Sequence, residues 1–402
     1  MHMGRAVFLI FLAMMTVPAL AQGDAGFARF LAGLRAEAIA SGVSANAYDV
    51  LTGGLTPDPR VPKLVETQPE FTTPVWDYIE TRVNRARIDR GRAALERNGQ
   101  LFSAIGQRTG VDPHLLGAIW GIETDYGSVL SNTNLIRPIV RSLATVTYQQ
   151  RTRYNEDKAD FFAALRLAEA NGGVSPVGSW AGAIGHLQVN PSNVIAHGQD
   201  GDGDGRVDLH NSLADALMTS AHFFRDLGYR PGQDWGFEVE VPQGFDYLLA
   251  TRDQLRPISF FAERGVTRVS GRPFADPGIP VFLYVPAGHG GPKFLMTENY
   301  LVLKGYNFSD SYAMAVAHLT DRLKGGSSYV TPWPRQTVFP NIAQRQSIQQ
   351  SLKSLGLYDG AIDGRLGPIT QAAYARFQAS RGEIADGFIT RATAEALAAA
   401  AR

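Results

Sequence analysis

The sequence predicts a mainly α protein with a small β-rich insertion and a small helical unit at the C-terminus, on three observations. Apolar residues recur at three- and four-residue steps through much of the first 324 positions. Two short alternating or apolar runs between Trp235 and Val285 interrupt that pattern. A stretch rich in Gly, Ser and Pro then precedes a second, shorter set of helical patterns.

Phe27, Phe30, Leu31 and Leu34 define the apolar face of a first helix, and Tyr78, Ile79, Val83 and Ile88 do so after Pro74. Asp112-Pro113 supplies a cap and a first-turn residue for a third helix, carrying Leu115, Leu116, Ile119 and Ile122 and expected to stop near Gly127. A further helix is expected over about 156–170, ended by Asn171-Gly172-Gly173. Phe237–Val241 alternates and Val281–Val285 is apolar, so both read as strands of the insertion. Helical pattern resumes near Ser311 with Tyr312, Ala315, Val316 and Leu319. Residues 22–324 are therefore read as one main domain, 325–341 as a linker and 342–402 as a compact second unit.

Lys+Arg and Asp+Glu both count 38, so the formal net charge is zero and no nucleic-acid partner is implied. Residues 1–21 differ from the rest. Arg5, the apolar run Ala6–Val17 and the ending Ala19-Leu20-Ala21 read as a secretory signal cleaved near Ala21. The run is shorter than the roughly 20 apolar residues of a membrane span, so no stable membrane anchor is expected. With no cysteine, disulfides and a lipid-modified thiol are excluded.

Three constellations carry chemistry. In Ala118-Ile-Trp-Gly-Ile-Glu-Thr-Asp-Tyr-Gly127, Leu116, Trp120 and Glu123 share one helical stripe. A carboxylate beside a large aromatic, at the negative end of a helix dipole, is expected to resist ionisation, as a general acid must. A surface glutamate at a helix end is the plainer reading. In Gly178-Ser-Trp-Ala-Gly-Ala-Ile-Gly-His-Leu-Gln-Val-Asn-Pro191, the glycines permit close backbone approach, and Ser179, Gln188 and Asn190 offer neutral hydrogen bonds. Tight packing with a capping serine explains the same segment. In Asp200-Gly-Asp-Gly-Asp-Gly-Arg-Val-Asp-Leu-His-Asn211, aspartates stand at loop positions one, three, five and nine and glycine at six. This follows the helix-loop-helix calcium pattern, with the Arg206 carbonyl at position seven. Asn211 replaces the usual closing glutamate, and Asp215 is the candidate substitute. A structural Ca2+ held by Asp200, Asp202, Asp204, Arg206, Asp208 and Asp215 is expected, at modest affinity; a merely acidic loop is the alternative. No histidine pair has zinc-helix spacing and no Gly-x-Ser-x-Gly elbow is present, so no zinc hydrolase or esterase is implied, and no organic cofactor.

The first two constellations, in this order, resemble the lytic murein transglycosylases of the membrane-bound B type, here in a soluble form. Gln68-Pro-Glu-Phe71, Gly305-Tyr-Asn-Phe-Ser309 and Tyr312-Ala-Met-Ala-Val316 extend the match, which covers about residues 27–324. The resemblance implies a lysozyme-like α+β catalytic core and a location in the periplasm. It makes Glu123 the lone catalytic carboxylate, protonating the bond between N-acetylmuramic acid and N-acetylglucosamine. The same group then takes the proton of the muramic C6 hydroxyl, giving a 1,6-anhydro sugar without water. It also implies that Ser179, Gln188, Tyr306 and Asn307 line the cleft, with Tyr154, Tyr312 and Arg151 on the substrate side. Two departures are visible: Phe223 stands where relatives can have tyrosine, and Gln150-Arg151 where relatives often have two arginines.

The tail resembles the peptidoglycan-binding domain of wall enzymes, a three-helix unit, through Ile348, Leu352, Leu355-Gly356, Asp363-Gly364, Gly367-Pro368, Thr370, Phe377-Gln378 and Asp386-Gly387. Peptidoglycan glycan strands are thus the implied partner, other wall enzymes are candidate partners, and a monomer is expected. Two other functions remain open on sequence. One is a water-using muramidase with Asp125 as second carboxylate, although Asp125 sits about 200° from Glu123 on a helix. The other is a wall-binding protein without catalysis.

Overall fold

The computed structural model describes residues 20–66, 73–151 and 153–400. Most of the signal-like segment and the Gln68–Phe71 motif lie outside the described residues. The chain forms two compact units, Met1–Thr67 with Ser131–Ala196, and Gln68–Leu130 with His197–Arg402.

The first unit is helical: Leu20–Ala40, Ala45–Thr52, Val61–Glu66, Ile139–Tyr148 and Tyr154–Ala170. Phe27, Leu31 and Leu34 are buried as the periodicity requires, against Tyr48, whose hydroxyl donates to the Leu31 carbonyl. Ser44 caps the second helix by accepting from the Ala47 N–H at 3.1 Å. The helix expected from about 156 starts at Tyr154. A short antiparallel ladder pairs Arg137 with Gly178 and so fixes the start of the glycine-rich segment.

The second unit holds Val75–Arg82, Arg85–Arg97, Gly99–Thr109, Pro113–Thr124, Leu213–Asp226, Glu298–Tyr306 and Asp310–Leu323. The β-rich insertion is a five-stranded antiparallel sheet in the order Arg256–Pro257, Pro280–Tyr284, Lys293–Thr297, Gly236–Glu240, Thr267–Arg268. Val239, Val281, Leu283 and Leu295 from one face form its core with Ile258, Phe261 and Val266. Period-two alternation turns Glu238 away from that core. There its carboxylate accepts the N–H groups of Val330 and Thr331, each at 2.8 Å.

Those two bonds fasten the linker segment 325–341 to the insertion. Trp333 lies 5.8 Å from Trp76, and Phe339 lies 5.5 Å from the same ring. Tyr329 packs edge-on to Phe294 at 5.0 Å, and Arg335 pairs with Glu80 at 2.6 Å. Gly, Ser and Pro remove helical periodicity, but the interspersed aromatics bury themselves, so the segment is a strap. It leads to Ile342–Ser354, Pro368–Ser380 and Arg391–Ala400, which enclose Ile348, Leu352, Tyr358, Phe377, Ile389 and Leu397. This three-helix unit touches the insertion: Asp386 accepts from the His289 backbone N–H at 2.9 Å and faces its ring Nδ1 at 2.6 Å.

Beneath the strap, burial pushes the Asp321 carboxyl up to about 6, although the Trp235 indole N–H donates to it at 3.1 Å. A raised folded-state value means that Asp321 stabilises the fold below its unfolded value and that this contribution is lost as pH rises through about 6. Asp321→Asn is therefore expected to be more stable than the wild type at pH 7.5, by at most roughly 3 kcal/mol, and equal to it near pH 4. Buried His318, pushed down to about 4, acts in the opposite sense in both proteins and cancels from the comparison. Thermal melts of both across that range check this; an equally stable variant at pH 7.5 refutes it.

Candidate active site

The helix that carries Glu123 begins at Asp112, whose carboxylate accepts from the His114 N–H at 2.9 Å and pairs with Lys324 at 2.6 Å. Pro113 fills the first turn. All residues from Leu115 to Ile122 are buried, as is Thr124, so a single apolar stripe understates this helix. Glu123, half-buried, is its one acidic side chain. Gly117 lets the Arg85–Arg97 helix approach, since a Cβ there would meet Leu95 at 2.9 Å. The helix ends at Thr124, three residues before the expected stop at Gly127, because Asp125 and Tyr126 already turn left-handed at φ 50° and 60°.

Two tyrosines face the carboxylate. Tyr306 ends the Glu298–Tyr306 helix, and Tyr312 opens the Asp310–Leu323 helix, whose cap Ser309 accepts from the Tyr312 N–H. Burial, and then the Glu123 charge, push both phenols well above the ordinary tyrosine range. The Tyr312 hydroxyl is buried without a hydrogen bond of good geometry, despite the carboxylate beside it. Tyr306 stacks on Phe224 at 5.1 Å, and its hydroxyl lies 3.3 Å from that of Ser220. Phe223 stacks on His197 at 4.7 Å and lies 5.5 Å from Tyr306, so it presents no hydroxyl there. The Asn307 amide oxygen accepts from the Ser309 N–H and so shapes the turn between the two tyrosines.

Asp125 is not a second acid or base. Arg90 binds it at 2.8 Å and Arg87 at 3.2 Å. Burial works against ionisation here, but these guanidiniums outweigh it and hold the carboxyl below the usual range.

The remaining expected residues lie in the first unit. Ser179 is a turn organiser: its hydroxyl accepts from the Ala183 N–H at 3.1 Å and its own N–H donates to the Ala183 carbonyl at 2.8 Å. Gln188 adopts φ 52°, and its amide donates to the Gly185 carbonyl at 2.9 Å. Glycine at 178 is enforced by space, since a Cβ would meet the Ala183 oxygen at 2.3 Å. Arg151 is clamped bidentately by buried Asp157 at 2.6 and 2.7 Å, so its charge is already matched. Tyr154 opens its helix with the Lys158 ammonium 5.2 Å from its ring. Sequence reasoning missed Asp157, Ser220 and Tyr126. Only Tyr126, inside the Ala118–Gly127 motif, carried a local signal.

In the acidic loop, carboxylate oxygens of Asp200, Asp202 and Asp204 lie within 4.8 Å of one another. Such a trio suits a hard cation that favours oxygen ligands. Asp208 accepts from His210, Asn211 and the Asn211 side chain, forming a cap. Asp215, expected as a ligand, accepts the backbone N–H groups of Gly201, Asp202 and Asp208. Asp200 accepts those of Gly203, Asp204 and Gly205 in the same way, so both carboxylates brace the loop, and Asp215 lies outside the close trio.

Residues 26–321 match the family described as the transglycosylase SLT domain, and residues 342–397 match the putative peptidoglycan binding domain. Membrane-bound lytic murein transglycosylase B of Escherichia coli is 29% identical over 217 residues, 52% of this chain and 56% of that protein. The crystal structure of SltB3 from Pseudomonas aeruginosa with NAG-anhNAM-pentapeptide is 37% identical, with a TM-score of 0.84 over 92% of this chain and 99% of that one. SltB3 with NAG-NAM-pentapeptide aligns equally well. The Escherichia coli transglycosylase Slt35 with calcium shares the fold at 20% identity and a TM-score of 0.61, over 75% of this chain and 93% of that one.

Proposed function

This chain belongs to the transglycosylase SLT-domain family, and on that premise we propose that it cleaves peptidoglycan between N-acetylmuramic acid and N-acetylglucosamine without water, using Glu123 as acid and then base. The observation that carries this reading is the setting of that carboxylate. Glu123 emerges half-buried from an apolar helix and faces two tyrosines. Asp125, its nearest acidic neighbour in sequence, is held by two arginines.

Glu123 gives its proton to the glycosidic oxygen as the bond to the muramic C1 breaks. The muramic C6 oxygen then closes on C1 and its proton returns to Glu123, so the enzyme ends in its starting state. A hydrolase would need a second carboxylate to activate water or to form a covalent intermediate. The SltB3 complexes, one with an ordinary and one with an anhydro muramyl ligand, support this chemistry. Ser179 and Gln188 order the backbone of a substrate loop. Tyr306, Tyr312 and Asn307 line the carboxylate's surroundings, and Tyr154 and Arg151, the latter held by Asp157, are substrate-side residues. The tail binds the wall, and the N-terminal segment directs export to the periplasm. Among the described residues no helix is long and apolar enough to cross a membrane.

The acidic loop binds a structural Ca2+ through Asp200, Asp202 and Asp204, with the Arg206 carbonyl and the Asp208 cap completing its ring. Saturation at about ten times Kd adds about 1.4 kcal/mol. Adding about 1 mM Ca2+ is thus expected to raise Tm by a few degrees, and Asp202→Asn to remove that response. An unresponsive wild type sinks the site. The reaction itself is tested by substitution of Glu123, with mass spectrometry of the sugar ends released.

A further inference from the structure

We propose that Arg87 is a positioning residue for the Glu123 carboxylate, acting through the left-handed pair Asp125-Tyr126. The inference rests on the reading of Glu123 as acid and base.

The helix ends one residue beyond Glu123. Its last carbonyls are closed by the Asp125 N–H to Gly121 at 3.1 Å and the Tyr126 N–H to Trp120 at 3.3 Å. Glycine is the ordinary residue in such an ending, because a side chain at positive φ is strained. Here two consecutive residues with side chains adopt it, at 50° and 60°. Strain of this kind persists only where surrounding contacts over-determine the backbone. Those contacts are present, and they converge on Arg87.

The Arg87 Nε donates to the Asp125 carboxylate at 3.2 Å, and its Nη1 donates to the Arg82 carbonyl at 2.7 Å. The Arg87 carbonyl accepts from the Tyr126 hydroxyl at 3.1 Å. One residue thus holds both left-handed positions, by its side chain and by its backbone. Its side chain is only 13% exposed. Arg90 supports the same carboxylate from a more exposed position. The Tyr126 ring lies across two glycines: a Cβ at Gly91 would fall 2.1 Å from its oxygen, and one at Gly121 would fall 2.6 Å from the ring. Trp120 meets the ring edge-on at 5.5 Å.

The last turn of a helix frays unless it is fastened. Leu115 to Ile122 are secured by burial, whereas Glu123 has polar work to do at the edge of that packing. A carboxylate that gives and retakes a proton must hold its place to a fraction of an ångström. The Arg87 clamp meets that need by fixing the two residues that follow Glu123's turn.

The test is steady-state cleavage of a soluble muropeptide by Arg87→Ala, Arg87→Lys and Tyr126→Phe, with Glu123→Gln and Arg85→Ala as references. Arg85 pairs with Asp89 on the surface of the same helix. Arg87→Ala is expected to lower kcat about 10- to 100-fold with KM within about twofold. Tyr126→Phe should lower kcat about threefold to tenfold, and Arg87→Lys should recover part of the loss. If Arg87→Ala fails to fold, Tyr126→Phe decides. Folded variants with wild-type kcat, or with a changed KM alone, overturn the inference. An active Glu123→Gln enzyme overturns the acid-base reading instead, so the two failures are distinct.

Discussion

Glu123→Gln is expected to lower release of 1,6-anhydro-muropeptides from murein sacculi by about a thousandfold or more. One group performs both proton transfers, so removing it removes both contributions, each commonly worth about 10²–10⁴-fold. The amide keeps the shape of the carboxylate, and Glu123 is only half-buried on a helix whose other residues pack tightly. Tm should therefore shift by no more than about 2 °C, and sacculus binding should persist. Wild-type products should carry anhydro ends and incorporate no oxygen from labelled water. Reducing ends with incorporated label would instead establish hydrolysis. Asp125 could not readily supply the missing base, since Arg87 and Arg90 already occupy it. An active Glu123→Gln enzyme would sink the assignment.

Removing the C-terminal unit is expected to have two different outcomes, depending on where the chain is cut. A stop after Gly325 deletes Tyr329, Trp333 and Phe339, and uncovers Trp76 and Phe294, which are 3% and 0% exposed. Each such ring buries about 150–250 Å². At about 25 cal/mol per Å², uncovering several of them costs upwards of 5 kcal/mol. Tm should fall by about 10 °C or more. A stop after Pro340 keeps the strap and sacrifices the His289–Asp386 contact, the Phe339–Phe388 edge, the Arg391 N–H bond to the Val338 carbonyl and the packing of Pro368–Ser380 against Tyr247–Leu249. That protein should melt within about 5 °C of the full chain, cleave soluble fragments, and bind sacculi less well. Melting curves and a sedimentation assay with sacculi read both effects. Equal stability of the two truncated proteins would show that the strap adds nothing.

Much of the site was legible because its signals are local. A cap and proline at 112–113 start the Glu123 helix, and aspartates on alternate positions with glycine between them draw three carboxylates together. Phe237–Val241 and Val281–Val285 alternate or run apolar, and both become strands, each pairing with Lys293–Thr297. These features depend on dihedral preference and side-chain period within about a dozen residues.

Partnership was not legible. The resemblance puts Arg151 on the substrate side, but nothing in the sequence shows that Asp157, six positions on, clamps it. Nor does the spacing of Asp215 from the loop reveal that its oxygens brace the Gly201 and Asp208 N–H groups. A carboxylate in a sequence does not say which donors will reach it, because that depends on where the loop folds back.

The sequence by itself determined the mainly helical class, the β-rich insertion, the three-helix tail and the lone glutamate near a helix end. Only the tertiary structure decided that the helix stops at Thr124, that 325–341 is a strap, and that Arg87 holds the turn after Glu123. The division has one physical cause. Period and propensity act between neighbours along the chain, whereas burial of Trp333 and the Arg87–Asp125 pairing join residues that only folding brings together.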